Sequence, residues 1–429
     1  MILVILSISG LFFYTFLSVD RMFYLLCGYI ALAVEYIYLS YFPGFPIYYS
    51  LKFSIPLFAL LLIYWLIYLL RAPEKTEFRA LDYLILFYLT LVGISFVRGV
   101  LYGFRLSYCI WDLMAQLWYV SYFIFQYSPL RKQIAKFYDI ILVFTFLLSF
   151  EYIYGYTRLA PLGGLFLTRI VGKNIHLAQF ALPYIGGIFI FGAPRGRKIL
   201  AGIAFPVILT AIFFSQQRSL WFSVIFTLFV LFLLFLYVRR NWLIRNIKKI
   251  LLIALIIVFI FIVFNVVLDI YFKQKLFLTT LARLLVFLNP ELFTYDLSWR
   301  IRWREIGLVF EDLTGHLLFG RGFGASIVSM DRHFVLLAPD HAYFYILWKM
   351  GIVGVIIWFL IQLLFIKKCL FILFKSPVAL EKIWALSAFL NLIGLMIIGL
   401  SNCALTTYEY IFIWAAMIAT VEIISRKYA

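Results

Sequence analysis

The sequence predicts an all-α fold: a polytopic membrane bundle of about 12–14 transmembrane helices with one long outer loop carrying amphipathic helices. Three observations predict it. Hydrophobic residues make up 66% of the chain and charged residues only 13%, against roughly 45–50% and about 25% in a soluble domain. Apolar runs long enough to cross a bilayer, for which about 20 residues are needed, recur along the whole length. The basic residues then sort onto alternate connections between those runs. No composition shift or linker divides the chain, so residues 1–429 read as a single integral membrane domain.

The candidate spans, in order, are Ile2–Leu17, Met22–Phe42, Leu51–Leu70, Ala80–Phe96, Leu113–Phe125, Phe137–Tyr154, Leu177–Phe191, Ile199–Phe214, Leu220–Tyr237, Ile250–Asp269, Ala342–Ile366, Ile383–Leu400 and Leu405–Ile424. The first has no basic residue before it and no small-residue cleavage site after it, so it is expected to be retained as a helix. Placing the Arg239–Lys249 loop in the cytoplasm puts 21 basic residues on that face and 15 on the other, in accord with the positive-inside rule. The net charge of +18 therefore reports orientation in a membrane, and no nucleic acid is expected as a partner. The long loop, residues 271–340, falls outside. Trp299, Trp303, Ile306, Phe310 and Leu313 recur in it at helical spacing with Ser298 as an expected N-cap, which predicts an amphipathic helix lying in the interface. Lys273–Leu288 predicts a second, less regular one.

Chemistry-bearing side chains crowd this outer face. Eleven of its 15 basic residues are arginine, against 10 of 21 inside. Arginine pairs bidentately with phosphate oxygens where lysine acts as a point charge, so the surface suits a polyanion such as a diphosphate. Lipid headgroups and the acids Glu305, Glu311, Asp312 and Asp331 are the alternative partners. His341, beside Asp340 at the mouth of a span, is a candidate general base, because a neutral imidazole can take a proton from a hydroxyl. A histidine merely hydrogen-bonded at a helix start would look the same in sequence. Arg218 stands alone between two closely spaced spans. The run Gly320-Arg321-Gly322-Phe323-Gly324 opens no βαβ unit, which excludes a dinucleotide fingerprint, and predicts a tight turn back to the membrane. Cys27, Cys109, Cys369 and Cys403 form no CxxC pair, and no HExxH or acid cage occurs, so neither a metal nor a cofactor is expected. Lys349 lies within a span with no partner legible in the sequence.

Three of these stretches resemble the O-antigen ligase and polymerase family. Gln217-Arg218-Ser219-Leu220-Trp221 is similar to the family's Ser-Arg-Gly/Ser-x-Trp-like helix start. Arg300 to Trp303, followed by Leu318 to Gly324, resembles its second segment. His341-Ala342-Tyr343 with Gly351 to Gly354 resembles its third. Ala342 stands where the family has a polar residue, and the interval from His341 to the glycines is about one residue short. The resemblance implies a multi-pass protein of the bacterial inner membrane with its site on the periplasmic side. It implies a metal-independent, inverting glycosyltransferase. The donor would be an undecaprenyl-diphosphate-linked glycan. The acceptor would be lipid A–core for a ligase or a second lipid-linked glycan for a polymerase. His341 would be the base; Arg218, Arg300 and Arg321 would hold the diphosphate; Asp340, Arg302 and Arg304 would support them. A transporter or flippase for a lipid-linked sugar remains the alternative from another class. It calls for polar groups deep in several spans.

Overall fold

The computed structural model describes residues 77–128, 131, 136–159, 173–215, 217–238, 297–329, 334–400, 402 and 408–428, with isolated helical positions between 59 and 69. The expected spans Ile2–Leu17, Met22–Phe42 and Ile250–Asp269, nearly all of Leu51–Leu70, the Lys273–Leu288 helix, and Cys27, Cys403, Asp331 and His333 lie outside the described residues.

The described chain is helical, as expected. Its helices are α1 (Ala80–Leu101), α2 (Leu106–Leu117), α3 (Ser121–Gln126), α4 (Phe137–Leu159), α5 (Leu177–Phe191), α6 (Arg195–Ser215), α7 (Arg218–Val238), α8 (Leu297–Asp312), α9 (Ala342–Lys375), α10 (Ala379–Gly399) and α11 (Tyr408–Ser425). A 3-10 turn at Trp118–Val120 links α2 to α3 into one run. Five helices are long and apolar enough to cross a membrane: α1, most of α6, α7, α9 and α10. Their outward faces carry Phe87, Ile94, Phe229, Phe232, Ile356 and Leu363 exposed, which is what a chain solvated by lipid rather than water presents.

Helix boundaries follow local chemistry. α5 ends where Gly192 adopts φ 87°, a conformation closed to most side chains. Pro183 and Pro206 sit inside α5 and α6, where neighbouring helices can re-satisfy the freed backbone groups. Ser298 is not the N-cap of α8, because the helix already begins at Leu297. The expected apolar stripe of α8 is also divided. Ile306, Val309 and Leu313 face the protein, while Trp303 and Phe310 stay exposed. One small departure from all-α is a two-stranded antiparallel hairpin, β1 (Ile327–Ser329) with β2 (Phe334–Leu336), pairing Val328 with Val335.

The bundle has two chemically distinct ends. At one, Arg426 meets Asp82 at 2.8 Å, Lys368 meets Glu422 at 2.6 Å, Lys427 meets Glu381 at 2.9 Å and Arg197 meets Asp139 at 2.6 Å. The four cations are among the 21 basic residues that the sequence places on one face. His341 marks the other end, where α10 finishes at Leu400 and α9 begins.

Candidate functional site

His341 is the extended residue that precedes α9, at φ −126° and ψ 113°. Its carbonyl accepts from Tyr345 N at 3.0 Å, so the backbone is spent on starting the helix. The ring is held by aromatic edges. Trp299 of α8 lies 6.3 Å away and Phe344 5.7 Å away, both edge-to-face. His341 is only 6% exposed, and its Nε2 is buried with no hydrogen-bond partner among the described residues. A buried nitrogen lone pair without a donor is costly in a finished core. A base whose partner is a substrate hydroxyl would show the same open nitrogen.

The surroundings keep that nitrogen free. Burial depresses the imidazole pKa below its ordinary value, and the Arg302 guanidinium depresses it further. A hydrogen bond with the Leu400 backbone and the charge of Asp340 push the other way without reversing the shift. Arg302 reaches Asp340 at 3.4 Å, both side chains being partly exposed. α8 thus delivers Trp299 and Arg302 to the mouth of α9 from one helical face, which is why its register matters.

The structure does not gather every candidate at this point. Arg300 and Arg304 lie on the exposed side of α8. Arg218 opens α7, half-buried, after a tight turn in which Trp221 Nε1 donates to the Ile212 carbonyl at 2.8 Å. α7 and α10 run antiparallel: Ser223 lies against Gly394, and Leu231 packs with Leu386 and Leu390. Arg218, before Ser223, therefore belongs to the same end as Leu400 and His341. Arg321 sits elsewhere. Its N–H donates to the Trp348 carbonyl at 2.8 Å, and its guanidinium pairs with Asp312 at 3.2 Å. That is two turns along α9 from His341, roughly 10 Å at 1.5 Å per residue.

The glycine run does more than turn the chain. α9 is broken at Gly351, with φ 70° and ψ −170°. The break frees backbone groups, and the loop supplies their partners. Arg321 N and Gly322 N donate to the carbonyls of Trp348 and Lys349 at 2.8 and 3.1 Å. Ile352 N and Val353 N donate to those of Leu317 and Leu318 at 2.9 and 3.2 Å. A Cβ at Gly320 would lie 2.6 Å from Gly351 N, so backbone meets backbone with no room for a side chain.

Below this plug lies a partner the sequence did not reveal. Lys349 Nζ stands 2.9 Å from Asp112 Oδ2, both essentially buried, and donates to the Ala325 carbonyl at 2.5 Å. Asp112 also accepts from Gly324 N at 2.8 Å and from the Tyr345 hydroxyl at 2.9 Å. The available signal was two opposite charges, each alone in an apolar stretch, since such groups pair when buried. Cys109 beside them is a buried free thiol.

No family model and no curated protein matches the chain. The site must therefore be read from its own chemistry. A buried, partly desolvated imidazole with one open nitrogen lies beside the Arg302 guanidinium, and this arrangement suits removal of a proton beside an anion.

Proposed function

We propose that the chain is a multi-pass glycosyltransferase of the bacterial inner membrane, acting on its periplasmic side as an O-antigen ligase. It would transfer a glycan from undecaprenyl diphosphate to a sugar hydroxyl of lipid A–core. The observation that carries this reading is the open Nε2 of buried His341 beside Arg302. In the proposed step, Nε2 accepts the proton of the acceptor hydroxyl. The oxygen forms a bond to the anomeric carbon as the bond to the diphosphate breaks, with inversion. The leaving electron pair goes to the diphosphate oxygen, where Arg218 and Arg300 offset its charge. Arg218 lies at the same end as His341 and Arg300 would have to reach the diphosphate from the exposed side of α8; cations held at developing charge stabilise it, and none of these residues needs a metal to act.

Trp303 and Phe310, exposed on α8, support an interfacial helix lying over the site. The concentration of candidate groups at one end favours an enzyme over a flippase, which needs access from both faces. The deciding experiment incubates purified protein with lipid-linked glycan and either lipid A–core or a second lipid-linked glycan, with products resolved by mass. Glycan on lipid A–core is expected. Growth of the lipid-linked glycan alone would make the chain a polymerase, and movement of donor across proteoliposomes without transfer would replace the enzyme reading altogether. Sidedness has its own test in a cysteine-free background. Thr314→Cys should react with an impermeant reagent from outside and Gly196→Cys should not; the reverse would sink the mechanism.

A further inference from the structure

A second cationic group, separate from His341, closes the end of α1. Arg98 Nη2 donates to the Tyr102 hydroxyl at 3.1 Å and lies 3.4 Å from His316 Nδ1. The guanidinium carbons of Arg98 and Arg321 lie 5.3 and 5.6 Å from the centre of the same Tyr102 ring. The His316 ring is 5.5 Å from it. Two arginines from distant parts of the chain are thus drawn to one aromatic ring. The loop imposes this closeness: Phe323 N donates to the Ser95 carbonyl at 2.9 Å, and a Cβ on Gly99 would run into the Phe323 carbonyl.

The acids do not balance these cations. Among the described residues, Asp312 is the carboxylate in ion-pair contact with the group, and it already accepts from Trp348 Nε1 at 2.7 Å. Arg98 Nε is buried without a hydrogen-bond partner among the described residues. Like charges held together with a donor left over call for an anion.

The position of the group says which anion. Tyr83, Leu86, Phe87, Ile94, Val97 and Leu101 form one exposed apolar stripe along α1. From Tyr83 to Leu101 the helix rises about 27 Å, close to the roughly 30 Å of a bilayer core. Arg98 and Tyr102 stand at the end of that stripe, at the depth of the headgroups. Leu317, Leu318 and Phe319 extend the apolar surface beside them.

We infer that Arg98, Arg321, His316 and Tyr102 form a binding site for the phosphate of a resident membrane phospholipid whose acyl chain lies along α1. The bound phosphate offsets the paired arginines and fixes the glycine loop against α1 and α9. The site is independent of the reading given to His341.

Native mass spectrometry of the full chain in neutral detergent tests it, with phosphatidylglycerol, diacylglycerol or inorganic phosphate as the probe. Phosphatidylglycerol should be retained and diacylglycerol released. Arg98→Gln with Arg321→Gln should weaken retention about tenfold or more, the worth of a lost charge-assisted contact. Arg195→Gln with Lys198→Gln, at the other end of the bundle, should leave it unchanged. Equal retention of diacylglycerol would reduce the site to a greasy stripe. Retention of inorganic phosphate in place of lipid would make it a free-anion site, and undiminished retention by the Arg98/Arg321 pair of variants would place the lipid elsewhere. The comparison of the three probes on the unaltered chain decides the matter even if that double variant fails to fold.

Discussion

The two ends of the bundle use charge in opposite ways. At the Arg426 end the buried acids Asp82 and Glu381 are closed off. Asp82 accepts from Tyr122 OH at 2.6 Å, Arg79 N at 2.7 Å and Arg426 Nη2 at 2.8 Å. Glu381 accepts from Ser376 Oγ at 2.7 Å, Tyr428 OH at 2.6 Å and Lys427 Nζ at 2.9 Å. At the His341 end the groups are left partly open. His341 Nε2 and Arg98 Nε lack partners among the described residues. Saturated charges specify packing, because breaking one strands its partner in the interior. Unsaturated ones carry a standing cost that only a ligand removes. On the proposed reading, the difference separates an end built for structure from one built for binding.

The largest expected effect tests the open end. His341→Ala should lower turnover by about 10²–10⁴-fold while donor binding, measured separately, stays near wild type. Loss of donor binding would make His341 a binding residue. Wild-type turnover would make it an ordinary helix-start residue, and the comparison between the ends would lose its main support.

Lys349 sharpens the contrast, because it lies on the helix that His341 precedes yet belongs to the closed type. Lys349→Met leaves Asp112 buried without its cation and should destabilise the protein by roughly 3–5 kcal/mol, read as a fall in thermal midpoint. Adding Asp112→Leu should restore most of that loss. A double variant no more stable than the single one would mean that the pair does something other than satisfy itself. Arg218→Lys and Arg300→Lys should each cost about ten- to a hundredfold in rate with insertion unaffected. Full activity in both would return these arginines to headgroup contact.

How much of this the sequence disclosed depends on the range of the interaction. The bounds of the helix Leu177–Phe191 were legible to the residue, though at this length it is not among the helices long enough to cross a membrane; apolar run, glycine and the following basic cluster are all local. The start of α9 at Ala342 was equally legible. Its break at Gly351 was not, since glycine within a membrane helix is common and says nothing of backbone supplied from elsewhere. The plug needs Leu317 to Gly322 to arrive from another part of the chain, and no periodicity records that. Lys349 was visible as a lone charge within a span, but its pairing with Asp112 is a tertiary fact. At the candidate site, His341 and Asp340 could be read side by side. Arg302 was one of three neighbouring arginines, and only the register of α8 turns it, rather than Arg300 or Arg304, toward Asp340.

That choice of arginine gives the smallest and most specific effect. If His341 acts as a neutral base, activity rises with pH through its pKa and is flat above it. Burial and Arg302 hold that pKa below the ordinary histidine value, so the ascending limb should lie below that value and the neutral imidazole should predominate at neutral pH. Arg302→Gln removes a cation that disfavours the imidazolium. The pKa then rises and the limb moves toward neutrality, lowering activity most at mildly acid pH and least above pH ~8. Asp340→Asn removes a charge that favours the imidazolium, so it should move the limb the opposite way. Helix damage or lost donor contact would lower the whole profile without displacing it. Rate profiles of the two variants that shift in the same direction, or do not shift, would show that neither charge is felt by the base.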